Sequence, residues 1–289
     1  MTVFWILLVL LVVSLVGIVW FVLGHLFSEE RELIQEAEEK LEKGQEAEAV
    51  SILSRVTDLN PANFKARWRL AKLLQMLGQT GAAAYHIEFC LENDGLPAHV
   101  RTEDALVRLA NVYEEQDQYR EAADTWSRYL QQSPDSIEGR FRRAHMFLEA
   151  ADYQRALADL KSIRSETPES EHPELLPLFL ARTYARLESF ERALDYYDEY
   201  LEQYPEDLEA RVEAARSARE AEQFDRAGEF YRQVYDRAEA PLANDAAIRL
   251  IQLGFDQDDA ELREQYFELL HEQEKQELLR PTQQRRLRY

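Results

Sequence analysis

Apolar residues recur along most of this chain at the spacing of one helix face, and short polar turns interrupt them at regular intervals. Within that pattern one small residue is placed twice per unit. Ala37 and Ala49 are twelve residues apart, and so are Ala71 and Ala83, Ala110 and Ala122, Ala144 and Ala156, Ala181 and Ala193, and Ala215 and Ala227. The first members of successive pairs are separated by 34, 39, 34, 37 and 34 residues, so two of the five steps carry insertions, of five and three residues. Bulky residues keep the same phase. The third unit has Tyr113, Tyr119, Trp126, Tyr129 and Pro134, and the fifth has Tyr184, Phe190, Tyr197, Tyr200 and Pro205. The pattern predicts six helix-turn-helix units at 30–63, 64–97, 103–136, 137–170, 174–207 and 208–241. The alanines let the two helices of a unit approach closely, and the large residues fill the space between neighbouring units. Proline closes most units because it cannot continue the hydrogen-bond ladder. Residues 242–279 predict one more helical pair, longer and more charged, suited to capping an array.

This unit resembles the tetratricopeptide repeat, a helix-turn-helix of 34 residues, over about 30–241. The chain departs from that pattern in having alanine where the family often has glycine at the first small position, and Glu239 where other units have the closing proline. The resemblance implies an all-α, right-handed superhelical solenoid that binds other proteins and performs no chemistry. It further implies a concave groove lined by the first helices, with contacts from the fifth, sixth and ninth residues of each unit. Those positions hold Trp68, Arg69 and Lys72; Val107, Arg108 and Asn111; Phe141, Arg142 and His145; Leu178, Phe179 and Arg182; and Val212, Glu213 and Arg216. An apolar or aromatic residue beside a cation recurs in unit after unit. Arginine suits bidentate carboxylate recognition and aromatics supply apolar anchors, so the expected partner is a protein or peptide with acidic and apolar side chains. A structural role competes with this one: the aromatics pack on the neighbouring unit and the arginines pair with Asp104, Glu138 or Glu209. Some family members clamp a C-terminal carboxylate here. Asn111 matches that set but Val107 replaces its lysine, so that specificity is not carried over.

Residues 1–27 contain no Lys, Arg, Asp or Glu, and only Ser14 and Gly17 interrupt the apolar run 3–23. Such a run reaches about 31 Å as a helix, one hydrocarbon core. Trp5, Trp20 and Phe21 lie towards its ends, where aromatic rings favour the membrane interface. A cleaved signal peptide would need a basic n-region and a small-residue cleavage site, and neither is present. The segment is therefore expected to be a retained single-span anchor in an inner membrane. Arg31, Lys40 and Lys43 follow it and no cation precedes it, which places the repeats in the cytoplasm by the positive-inside rule. A periplasmic array is the alternative. This plan is similar to the lipopolysaccharide assembly protein B family, which has one span and then tetratricopeptide repeats. The insertion before the third unit and the segment VRLANVYEEQDQYREAADTW (107–126) read like that family's third unit. That family's rubredoxin-like metal domain with paired CxxC motifs is missing, so no role that depends on it transfers. The resemblance implies a scaffold or adaptor in bacterial envelope assembly. The periplasmic alternative would serve secretion, cell-wall or flagellar-motor assembly.

Charge and chemistry narrow the picture. The net charge is −21, from 55 acidic and 34 basic residues. Four arginines (Arg280, Arg285, Arg286 and Arg288) and no acid fall in 280–289, which is expected to be a disordered basic tail. Residues 28–279 therefore carry 30 − 55 = −25, which excludes nucleic acid as the main partner. No two of the six histidines share a metal-ligand spacing with each other or with Cys90, no glycine-rich phosphate loop exists, and no nucleophile–base pair stands out. No enzymatic activity, cofactor or metal is expected. Cys90, the single cysteine, sits at a packing position and is expected to be a buried thiol.

Overall fold

The computed structural model describes residue 14 and residues 29–166, 173–239 and 241–270. Every regular element among them is a helix, and none is a strand. Helix α1 covers 29–42 and pairs with α2 (Glu46–Leu59). The next pairs are α3 (Phe64–Met76) with α4 (Thr80–Glu92), α5 (Thr102–Glu114) with α6 (Tyr119–Gln132), and α7 (Ile137–Glu149) with α8 (Tyr153–Glu166). Then come α9 (Leu176–Arg186) with α10 (Phe190–Gln203), α11 (Leu208–Glu220) with α12 (Phe224–Arg237), and α13 (Leu242–Asp256) with α14 at 260–270. The chain forms two compact units, Met1–Gly139 and Arg140–Tyr289, divided within α7.

All twelve alanines of the repeated pair are at most 1% exposed. Burial of so small a side chain at both positions fits a close approach of the two helices of each pair. Around them Leu53, Ile87, Leu109, Leu160, Tyr197 and Tyr231 are fully buried and fill the gaps to the next helix. Cys90 belongs to this packing and is buried, as its position predicted; burial pushes its thiol up to about 11.

The turn inside each pair is also repeated. Gly44, Gly78, Asp117, Ala151, Glu188, Glu222 and Asp258 all have φ between 54° and 72° and follow one another at the repeat spacing. The amide after each closes a six-to-one bond onto the preceding helix, as in Gln79 N to Leu74 O at 2.8 Å and Asp152 N to Phe147 O at 2.7 Å. This is the left-handed C-terminal stop of a helix, which favours glycine. Five of the seven positions carry a side chain there, so the paired packing, not turn propensity, imposes the conformation. The first helices of three pairs start on side-chain caps, one of them Ser136, which accepts from Gly139 N at 3.0 Å. Asn63 accepts from Ala66 N and Asp207 from Ala210 N, both at 2.9 Å.

No helix among the described residues is long and apolar enough to cross a membrane. The predicted anchor at 1–27 lies, apart from Ser14, outside the described residues, as do 271–279 of the capping pair and the basic tail.

Three substitutions test what holds the pairs together. Ala110→Leu should lower unfolding free energy by about 1–3 kcal/mol through overpacking, whereas Ala47→Leu on an exposed face should change it by less than about 0.5 kcal/mol. Ala151→Gly, at φ 59°, should raise it by about 0.5–1 kcal/mol, because relief of the left-handed strain exceeds glycine's entropic cost. Urea denaturation followed by circular dichroism measures all three.

Candidate partner-binding groove

The fifth, sixth and ninth residues of each pair lie on its first helix, so the helical repeat alone puts them on one face. Their surroundings follow a rule that runs across pairs: the ninth residue of one pair meets the sixth residue of the next. Arg69, sixth in the second pair, donates to Glu38, ninth in the first. Arg182, ninth in the fifth, donates through Nε and Nη2 to both carboxylate oxygens of Glu213, sixth in the sixth, at 2.8 and 3.0 Å. His145, ninth in the fourth, stands edge-on to Phe179, sixth in the fifth, with ring centroids 5.0 Å apart.

In the first compact unit the rule meets an exception. Lys72 is ninth in the second pair and Arg108 is sixth in the third, so two cations occupy the register that elsewhere joins opposite charges. Arg108 turns instead to a neutral amide, donating from Nη1 to Gln75 Oε1 at 2.6 Å, with its guanidinium 5.9 Å from the Trp68 ring centroid. Gln75 passes its own N–H to Glu115 at 3.0 Å. Lys72 is exposed and has no ion pair among the described residues. Asn111 lies one turn beyond Arg108 on α5 and is half-buried. The result is a cationic site beside the buried Trp68, inside an otherwise acidic molecule.

The second unit's groove is built differently. A cavity of about 540 Å³ opens between α7, α9 and α11, with Leu148, Ala185 and Phe190 among its walls. The Arg182–Glu213 pair forms part of its lining, and the Tyr197 hydroxyl also donates to Glu213 at 3.1 Å. Burial, reinforced by that carboxylate, pushes the Tyr197 phenol far above its usual range, so it stays a donor. Arg216 is loosely held, 3.9 Å from Asp245. Phe141 packs edge-on against Phe179 at 4.9 Å.

The predicted site residues thus separate into two roles. Trp68, Leu178, Phe179 and Val212 are buried and serve packing, while Arg142 and Arg216 remain exposed. One of the acids expected beside the groove arginines has another partner. Asp104 is taken by Arg101 at 2.6 Å. Arg69 and Arg182 pair across successive units through the ninth-to-sixth contact, which brings side chains about thirty residues apart within reach, while Arg216 reaches Asp245 of the next pair outside that register. Sequence reasoning missed the fourth position. There Arg67 and Arg211 are buried, bonding the carbonyls of Pro61 (3.3 Å) and Pro205 (2.6 Å), which close the previous units. Their shared phase and the prolines just upstream were visible signals. Among the described residues no cluster of His, Cys, Asp or Glu is arranged to hold a metal ion.

Residues 103–146 and 173–217 match the family model of the tetratricopeptide repeat. No curated protein matches the chain. The C-terminal part of a TPR repeat-containing protein from Cytophaga hutchinsonii is similar in structure, with a TM-score of 0.58 at 12% identity, covering 81% of this chain and 92% of that one. PilW, a widely conserved type IV pilus biogenesis factor, gives 0.54 at 20% identity over 72% and 91% of the two chains. YrrB, a TPR protein with an unusual peptide-binding site, gives 0.51 at 19% identity over 67% and 96%. At these identities the likeness is one of fold.

The cross-pair rule can be checked by exchanging charges. Arg182→Glu and Glu213→Arg should each cost about 1 kcal/mol, and the double exchange should restore stability to within about 0.5 kcal/mol. A double exchange no better than the sum of the singles would remove the rule.

Proposed function

We propose that this tetratricopeptide-repeat chain is a membrane-tethered, non-enzymatic adaptor whose first groove captures an acidic, apolar segment of a partner protein. The repeats are a protein–protein interaction scaffold; the choice of partner is what the groove chemistry adds. One observation carries the reading. Lys72 and Arg108 occupy a register position that Glu38–Arg69 and Arg182–Glu213 fill with opposite charges. A carboxylate from a ligand would complete that step of the ladder. Asn111 beside it offers an amide that can bond a peptide backbone.

The apolar segment 1–27 supports the tether, and Arg31, Lys40 and Lys43 behind it support cytoplasmic repeats at an inner membrane. Similarity of plan to the lipopolysaccharide assembly protein B family supports work in envelope assembly. A periplasmic array with the same groove is the second reading, and a topology reporter fused after Tyr289 distinguishes the two. The net charge of −21 holds the array away from anionic lipid, so partners are met by the groove and not by the bilayer.

Fluorescence anisotropy on the full chain tests the groove, using labelled peptides that alternate Asp or Glu with Leu or Phe and matched peptides with Asn and Gln. The acidic peptides should bind more tightly, and Lys72→Glu with Arg108→Glu should weaken them at least ten-fold without changing the melting temperature. Added salt should weaken binding in the same direction. Equal binding of acidic and amide peptides would sink the proposal.

A further inference from the structure

The groove register continues into the seventh pair and brings two like charges together there. In the earlier pairs the sixth residue stands nine places before the left-handed turn residue: Arg69 before Gly78, Arg108 before Asp117 and Glu213 before Glu222. Ahead of Asp258 that place belongs to Arg249. The ninth residue of the sixth pair is Arg216, so the step that joins Arg182 to Glu213 is followed by one that sets arginine beside arginine. One carboxylate, Asp245, contacts both. It lies 3.9 Å from Arg216 Nη2 and 3.6 Å from Arg249 Nε, and both distances are too long for hydrogen bonds. Arg249 also makes a long bond from Nη1 to Gln252 at 3.4 Å.

A buried hydroxyl belongs to the same step. Tyr197 and Tyr231 each stand nine places after a left-handed turn residue, Glu188 and Glu222. The Tyr197 hydroxyl donates to Glu213, the carboxylate that Arg182 also holds. Tyr231 is 1% exposed, and Arg249 replaces the acid that its hydroxyl would meet. That hydroxyl is buried without a hydrogen-bond partner among the described residues, and so is Arg249 Nε. Burial pushes this phenol above its usual range, against the cations of Arg249, Arg216 and Arg219, so it stays a donor among positive charges. Arg219 is held by Asp256 at 2.6 Å. A buried donor without an acceptor is costly, and an acceptor supplied by a ligand recovers that cost.

We infer that Arg216, Arg249 and Tyr231 form a second carboxylate site, which takes an acidic side chain of a partner protein in the role that Glu213 plays one step earlier. The carboxylate bonds both guanidinium groups and accepts from the Tyr231 hydroxyl. Arg216 and Asp245, whose side chains are 55% and 38% exposed, part to admit it. Arg216 also lines the cavity walled by Leu148 and Phe190, so a peptide that seats an apolar side chain there brings an adjoining Asp or Glu to the site. This inference rests on the scaffold reading of the repeats but not on Lys72 and Arg108, which belong to the other compact unit.

Fluorescence anisotropy tests the site on the full chain carrying Lys72→Glu and Arg108→Glu, so that the first groove cannot answer for the second. The probes are amidated peptides alternating Glu with Leu, the same peptides with Gln for Glu, and the Gln peptides with a free C-terminal carboxylate. Residual binding should favour the Glu peptides over the amidated Gln peptides about five-fold. Adding Arg216→Gln and Arg249→Gln should erase that preference, and Tyr231→Phe should reduce it about three-fold. Asp245→Asn should instead tighten the Glu peptides about two-fold by removing a competing acid, an outcome that lost folding cannot produce. Equal binding of Glu and amidated Gln peptides in this background would overturn the site. So would a preference that survives Arg216→Gln/Arg249→Gln, or weaker binding with Asp245→Asn. Free-ended Gln peptides binding as tightly as Glu peptides would overturn the side-chain assignment in favour of a chain end.

Discussion

Close approach of two helices at a pair of buried alanines is the constraint on which the rest of this structure depends. A methyl group at each crossing sets how near the helices lie, and that distance sets the phase of everything around them. The turn that joins the helices is then forced into the left-handed region even where the residue is Asp, Ala or Glu. The same phase aligns the fourth, sixth and ninth positions of successive pairs, so one local rule generates buried arginine contacts to proline carbonyls and a ladder of side-chain pairs along the groove.

That ladder changes how the charge of the molecule should be understood. With 55 acids for 34 bases, most groove arginines find acidic neighbours inside the fold and are neutralised there. Such half-exposed pairs contribute modestly to stability, but they consume recognition capacity. What remains for a partner in the first unit is Lys72 and Arg108, where the register brings two cations together and the guanidinium bonds an amide. The aromatic residues behave in parallel. Trp68 and Phe179 look like anchors in a list of groove positions, yet burial by the next pair turns them into packing. The same accounting applies to the last described pair, where Phe267 is exposed.

Much of this was legible in the sequence. The alanine spacing located the helical pairs, the insertions and the burial of Cys90, because small residues at a fixed interval have few other physical explanations. The site was legible only as a list of positions. Arg108 and Arg182 look alike in that list, each a cation on the inner face of a first helix, but one is bonded to Gln75 and the other to Glu213. The fourth-position arginines went unread because a charged residue in an acidic chain suggests solvent, and only their contact with Pro61 and Pro205 reveals burial.

The sequence by itself determined the periodicity, the helical class and the phase, since these follow from the spacing of small and large residues along one strand of covalent chain. Only the tertiary structure decided which cations are satisfied and which are not. Those contacts join residues about thirty positions apart on successive helical pairs, and their partners are chosen by how the pairs stack. No local pattern encodes that choice, because the same residue types at the same positions are paired in one step of the array and left facing a like charge in the next.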